Sequence, residues 1–478
     1  MKPILKNIGA ALGLLLLAAS FHGCVVGKPY RQPDLHLPET IAQGQTDSLT
    51  LADVKWWDIY TDTCLQKLIR KALEYNKDML SAAERIRETA YLKRINTANL
   101  LPQISADVTA EREFEDDGGN GQTQSNTFEA KLLLSWELDL WGNLRWARRK
   151  GIAEYMQSVE AQRALQMTLI AQVAQSYFEL TALDNELSIV RQTLVTREEG
   201  ARQAKLRFEG GLTSEITYQQ AQVELARTAT LVPALEHDIT LVENDLALLT
   251  GEYPGRVPRG VLAQQEKLPE ELPVGLPSTL LLRRPDLRQA EQELIAAHAA
   301  MGMAYTDRFP RLSFSGKYGL ESSAFSDLFR SPYGFLGGEL LAPIFAAGKK
   351  KATYKAKEAA YRQQVYQYEK SVLTAFQEVS NAIVEYNKVK EACRLKQDLE
   401  QAAKKYVELA HLQYINGVIR YLDVLDAQRA YFDAQTGLSN AVRDEQTALV
   451  RLYKALGGGW DESSPAPVSL RKKETAEK

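Results

Sequence analysis

Alternation of apolar and polar residues marks three segments of the chain, and less regularly a fourth. From Phe128 to Leu140 the even positions Phe128, Ala130, Leu132, Leu134, Trp136, Leu138 and Leu140 are apolar, and Glu129, Lys131, Ser135, Glu137 and Asp139 stand between them. Ile104, Ala106, Val108 and Ala110 alternate with Ser105, Asp107, Thr109 and Glu111, and Leu312, Phe314, Tyr318 and Leu320 with Ser313, Ser315, Lys317 and Glu321. A fourth, more mixed segment covers Tyr333 to Ile344. A period of two gives a strand one apolar and one charged face. Each strand is expected to run roughly 10 residues, enough to cross a bilayer in a tilted barrel; a soluble half-buried sheet gives the same pattern. The Asp116–Gly121 run reads as an exposed turn between the first two strands. Four strands cannot close a barrel, and open edges are not tolerated in lipid, so copies must share one. Two copies reach the minimum; three give a wider lumen, which the charged inner face favours.

The remaining pattern is helical. No proline occurs between Pro102 and Pro233 or between Pro343 and Pro465, and Leu165, Leu169, Val173 and Tyr177 recur at fourth positions. A helix from Gly142 to Phe208 would run roughly 100 Å, a length typical of coiled coils and helical barrels.

The pattern occurs twice. Gly142 and Gly348 open the long helical stretches, Gly211 and Gly417 break them, and Gly251 and Gly457 end the halves, each pair 206 apart (348-142). The organisation expected is residues 63–250 and 281–457 as two structural repeats. Each has a helix, two strands, a very long helix, a break and a further helix. A Pro-rich linker over 251–280 joins them. An extended, lipid-anchored segment covers 24–62, and 458–478 is a mobile tail.

Net charge is -3, which gives no basic excess for a nucleic-acid partner. Lys2 and Lys6 followed by the apolar run Ile8–Ala19 read as an export signal over 1–23, too short to span a bilayer. Gly23-Cys24 resembles a lipoprotein cleavage site with Cys24 acylated; the alternative is ordinary cleavage near Ala18-Ala19-Ser20. Cys64 and Cys393 have neither CxxC nor metal-ligand spacing, and His22, His36, His237, His298 and His411 form no ligand pair. No nucleophile elbow, phosphate loop or dinucleotide motif is present. No enzyme activity, cofactor or metal is expected.

Several phrases resemble the TolC-like outer-membrane efflux factors, in particular their lipoprotein branch in resistance-nodulation-division type systems. Cys24-Val25-Val26-Gly27-Lys28-Pro29-Tyr30 is similar to that branch's start, with Lys28-Pro29 replacing the usual Pro-Asp. Trp56-Trp57 with Leu65, Leu68, Ala72-Leu73 and Asn76 is similar to its first helical segment. Leu276-Pro277-Ser278 through Arg283-Arg284-Pro285-Asp286-Leu287 is the most specific match. Helix-start chemistry accounts for Pro285 and Asp286. It does not account for two arginines, which need carboxylate partners there. The resemblance implies an α+β fold. In it, a homotrimer shares a 12-stranded transmembrane β-barrel, four strands per chain, on a long periplasmic α-helical barrel. It also implies an outer-membrane, lipid-anchored location with a large periplasmic part. The partners are a periplasmic adaptor and an inner-membrane pump, and the cargo is drugs, metals or other small solutes. The alternative is a periplasmic coiled-coil adaptor or structural lipoprotein, which needs no alternating strands.

The break after the second long stretch carries Asp423 and Asp426, which share one helical face; the first half has Thr217 and Gln220 there. The resemblance makes this break the periplasmic gate, with Asp423 and Asp426 as an acidic ring and Leu422, Arg429 and Tyr414 at closing positions. It makes Gly210, Gly211, Leu212 and Thr213, with Asn416, Gly417 and Val418, the adaptor-docking tips.

Overall fold

The structure is a computed structural model and describes residues 25–35, 37–38, 51–116, 122–262 and 277–460. The export signal, Cys24, residues 117–121 of the strand turn, part of the linker and residues 461–478 lie outside them.

The first half contains α1 (Thr63–Tyr75), α2 (Lys77–Ala98), β1 (Gln103–Asp116), β2 (Gln122–Leu138), α3 (Asn143–Glu209), α4 (Glu215–Ala229) and α5 (Leu231–Leu249). The second contains α6 (Pro277–Arg283), α7 (Pro285–Thr306), β3 (Arg311–Ser322), β4 (Pro332–Leu341), α8 (Lys349–Ile415) and α9 (Tyr421–Ala455). The order repeats, and α3 and α8 have 67 residues each. The halves differ after the break. A single helix of 35 residues follows in the second, whereas the first splits at Thr230 into α4 and α5. Pro233 explains this: with no N–H it cannot continue α4 but is tolerated in the first turn of α5. β1 and β2, at 14 and 17 residues, exceed the length expected. The helix α6 begins inside the range expected to be linker.

Contacts divide the chain into two compact units. The first combines residues 1–35, 85–159 and 289–369. Its sheet is antiparallel in the order β1-β2-β3-β4, so β1 and β4 each keep one edge unpaired among the described residues. The register lines up Ile104, Leu134, Gly316 and Leu336 on one face, with Ala106, Leu132, Tyr318 and Gly334 beside them. This apolar face is bare: Val108 is 81% and Leu336 76% exposed. The opposite face aligns Asp107, Lys131, Gly319 and Tyr333, and the Glu129 carboxylate accepts hydrogen bonds from Lys131 and Tyr333. Aromatics bracket the apolar face. Trp136 pairs with Phe314 near the helix-linked strand ends, and Phe128 packs on Phe325 at 5.7 Å near the other. The eight residue steps from Phe128 to Trp136 span roughly 27 Å. In the same unit the segment starting at Val25 is pinned by Val26 N–H to Trp141 O (3.2 Å) and by Trp146 Nε1–H to Val26 O (3.1 Å).

The second unit combines residues 36–84, 160–288 and 370–478. Its core joins Leu65, Ile69 and Ala72 of α1, Val173, Tyr177 and Leu180 of α3, Val379 and Tyr386 of α8, and Leu449 and Leu452 of α9. Asp62 caps α1 through Cys64 N–H (2.7 Å) and accepts from Tyr177 Oη (2.5 Å). The linker is tied to this core by Arg259, which pairs with Asp184 and Glu243. Both arginines before α7 have the carboxylates that position demands. Arg283 pairs with Asp53, and buried Arg284 pairs with Asp286 and Glu378 (each 2.6 Å) and donates to Ala455 O (3.2 Å). The start of α7 is thereby held to α8 and the end of α9. Arg284→Met is expected to cost about 1–2 kcal/mol, because its partner carboxylates are half exposed; denaturant unfolding followed by the helical circular-dichroism signal measures it. The tail expected from residue 458 does not begin there. Gly458 is buried, and Trp460 donates Nε1–H to Arg283 O (2.9 Å) between the guanidinium groups of Arg163 and Arg288. Cys64 and Cys393 are free thiols.

Candidate functional site

Two equivalent helix ends in the second unit build the site. After α3, Gly210 N–H bonds Leu206 O (3.0 Å), Gly211 N–H bonds Phe208 O (2.9 Å) and Leu212 N–H reaches back to Arg207 O (2.8 Å). After α8 the bonds are Asn416 to Leu412 (3.2 Å), Gly417 to Tyr414 (3.0 Å) and Val418 to Gln413 (2.9 Å). Gly211 (φ 71°) and Gly417 (φ 74°) hold the left-handed position that this cap requires. In such caps the apolar residue after the glycine commonly folds onto the helix. Here Leu212 is 74% and Val418 70% exposed, so both tips present an apolar side chain outward.

Behind the first tip, Ala201 and Ala204 of α3 pack on Ala221 of α4, with Tyr421 against them. These small residues let the helices approach closely. In this seam stand two charges. Arg197 follows Val190 and precedes Ala204 by seven residues, a core position of the heptad, and Glu224 is three residues past Ala221. Arg197 Nη1 donates to Glu224 Oε2 (2.9 Å), Glu224 O (2.9 Å) and Thr228 Oγ1 (2.6 Å). Arg429 of α9 donates Nη2–H to Glu224 Oε1 (2.7 Å) and Nη1–H to Asp426 Oδ1 (3.0 Å). One carboxylate, 2% exposed, thus ties α3, α4 and α9 together. The Arg429 hydrogen bond holds the Glu224 carboxyl below the usual carboxylate range, while burial lowers the Arg197 guanidinium.

The other expected gate residues have varied surroundings. Tyr414 Oη accepts from Arg207 Nη1 (2.7 Å), linking the ends of α8 and α3, and its ring lies 5.6 Å from that of Tyr421. Asp423 accepts from Arg420 N–H (2.9 Å) and so caps its own helix. Leu422, 37% exposed, lines a groove of about 380 Å³ between α4 and α9 with Ile216 and Val223. The Thr213 hydroxyl is buried, whereas Leu212, Asn416 and Val418 are exposed at the tips. Glu224 and Arg197 escaped the sequence reading. The 206-residue offset holds the signal for them: it pairs Arg197 with Ala403 and Glu224 with Ala430, so the first half carries charges where the second carries alanines.

A duplicated chain with a four-stranded sheet bare on its apolar face, long paired helices and glycine-capped tips defines an outer-membrane channel of the TolC-like fold. The family model described as outer membrane efflux protein matches residues 68–252 and 276–458, one stretch in each half. The chain belongs to the outer membrane efflux protein family, and it is an efflux channel subunit of the outer membrane. It is 31% identical over 475 residues to the toluene efflux pump outer membrane protein TtgF of Pseudomonas putida, covering 96% of this chain and 98% of TtgF. It is 30% identical over 448 residues to the probable outer membrane lipoprotein SilC of Salmonella typhimurium, covering 92% and 96%. The solved open state of the Neisseria gonorrhoeae MtrE outer membrane channel is similar with a TM-score of 0.81 and 30% identity, over 92% of this chain and 100% of that one.

Proposed function

We propose that three copies of the chain form one duct, closed at its periplasmic tips by the Tyr414, Leu422, Asp423, Asp426 and Arg429 cluster and docked there to a periplasmic adaptor that serves an inner-membrane pump. The observation that carries the reading is the sheet. One face is apolar and exposed, the other holds the Asp107–Lys131–Glu129–Tyr333 network, and β1 and β4 have free edges. Lipid accepts such a sheet only when other copies pair both edges, and three copies give 12 strands. The helices also call for a partner surface. Leu395, Leu399, Tyr406 and Leu409 form a second heptad stripe on α8, each 49–57% exposed, away from buried Cys393, Ala403 and Ala410. A neighbouring chain is its natural cover.

Single cysteines placed on β1 (at Val108 or its neighbours) together with ones on β4 (at Leu336 or its neighbours), in a Cys64→Ser, Cys393→Ser background, are expected to cross-link into covalent ladders that stop at three chains. Ladders stopping at two, or none in any register, overturn the trimer. The docking part predicts that a photo-cross-linker at Leu212 or Val418 captures an adaptor while one at Thr213 captures less; no capture from either tip rejects docking. Acylation of Cys24, proposed from its motif and the likeness to SilC, is read from the mass of the mature N-terminus.

A further inference from the structure

Beside the strand-linked helix ends of the first unit lies a cavity of about 440 Å³ that the gate and duct do not use. Its walls are aromatic. Trp146 is seated because residue 302 is glycine: a Cβ there would lie 2.5 Å from the indole. His298 packs edge-on against Trp146 (5.5 Å) and Tyr361 (5.4 Å), and Tyr305 against Tyr354 (5.4 Å). Burial, and then the Arg149 guanidinium that stacks on Trp146 at 4.7 Å, lower the His298 imidazole below its ordinary value, which favours its neutral form. One carboxylate lines the cavity, Glu358, accepting from Lys355 (2.7 Å) and Arg362 (3.2 Å), which hold it ionised. The rim is basic: Lys28 and Arg362 line it, and Arg308 stacks on Tyr305 at 5.2 Å.

Aromatic faces with a carboxylate attract an ammonium group, and lysine and arginine at the rim attract a phosphate. The position fits a molecule carrying both. Tyr305 lies six residues before β3, and Trp146 eight after the end of β2. These two walls therefore form the sheet end of the cavity, and Glu358 and Arg362 lie farther along, nine and thirteen residues past the start of α8. We propose that this cavity binds the headgroup of an inner-leaflet phospholipid bearing a primary ammonium, with the ammonium at Glu358 and the aromatic walls and the phosphate at Lys28 and Arg362. The placement rests on the reading of the sheet as membrane-spanning.

The test is native mass spectrometry of the full-length protein, delipidated in detergent and titrated with dioleoyl phosphatidylethanolamine or dioleoyl phosphatidylglycerol. Both carry the phosphate, but only the first carries the ammonium. The wild type is expected to hold phosphatidylethanolamine about tenfold more tightly. Glu358→Gln should abolish the preference, and Tyr354→Ala should weaken phosphatidylethanolamine binding by a similar factor. Trimer mass and bilayer conductance are read on the same samples, so misfolding is seen directly. Equal retention of the two lipids by a conducting wild-type trimer, or an undiminished preference in Glu358→Gln, overturns the site. A lipid preference in a chain that neither assembles nor conducts would instead sink the barrel reading.

Discussion

Glu224→Ala is expected to destabilise the tip by about 3–5 kcal/mol, the usual cost of leaving a buried charge without its partner. Arg197, 6% exposed, would keep its guanidinium in the α3–α4 seam with no carboxylate. Arg429 would lose its bond across to α4 and keep only Asp426. The second half indicates the compensation. Ala403 and Ala430 occupy the matching positions, so Arg197→Ala combined with Glu224→Ala should recover most of the loss. Hydrogen exchange over 197–228 and single-channel open probability measure both. A double variant as unstable as Glu224→Ala would show that the charge pair is not the cause. The same carboxylate predicts a pH effect. Its pKa is lowered in the fold, so its stabilisation is fully present above the ordinary glutamate value of about 4.3 and is lost as pH falls through the lowered one. Tip opening should therefore rise only in acid, and Glu224→Gln should remove the part of that dependence that Glu224 contributes.

Asp423→Asn with Asp426→Asn is expected to open the resting channel and to raise the concentration of divalent cation needed to block it at least about tenfold, since a constriction lined by one sign of charge concentrates its counter-ions. Three copies lose six carboxylates together. Asparagine is preferable to alanine for a reason the structure supplies. Asp423 caps α9 by accepting from Arg420 N–H, and an amide oxygen can still accept there, so the charge is removed without the cap. Asp426 has a second role, because its bond to Arg429 helps hold that guanidinium toward Glu224. Planar-bilayer recordings with and without divalent cations separate the two. Unchanged cation block would remove the acidic ring from the mechanism, and unchanged resting conductance would remove the Asp426–Arg429 pair from closure.

Much of this was legible in the chain because it is local. A period of two in Phe128–Leu138 fixes which side chains share a face, and the register with β1 and β3 keeps that partition. Gly211 and Gly417 could be read as helix stops because a left-handed residue excludes most side chains. The duplication could be read because equal spacing survives divergence. Arg283-Arg284-Pro285-Asp286 announced that carboxylates were needed, yet not that Asp53 and Glu378 would supply them.

Tertiary structure alone decided what depends on which helix faces which. Arg197, Glu224 and Arg429 lie far apart in sequence and meet only when α3, α4 and α9 pack. Asp423 reads as a free acid until the backbone of α9 begins beside it. Trp460 belongs by sequence to a mobile tail, but two guanidinium groups and the Arg283 carbonyl hold it, half-buried, against the second unit. Periodicity dictates an element and its faces through neighbouring residues. Partners across elements are selected by burial and charge compensation between distant residues, and those forces act only after the elements have come together.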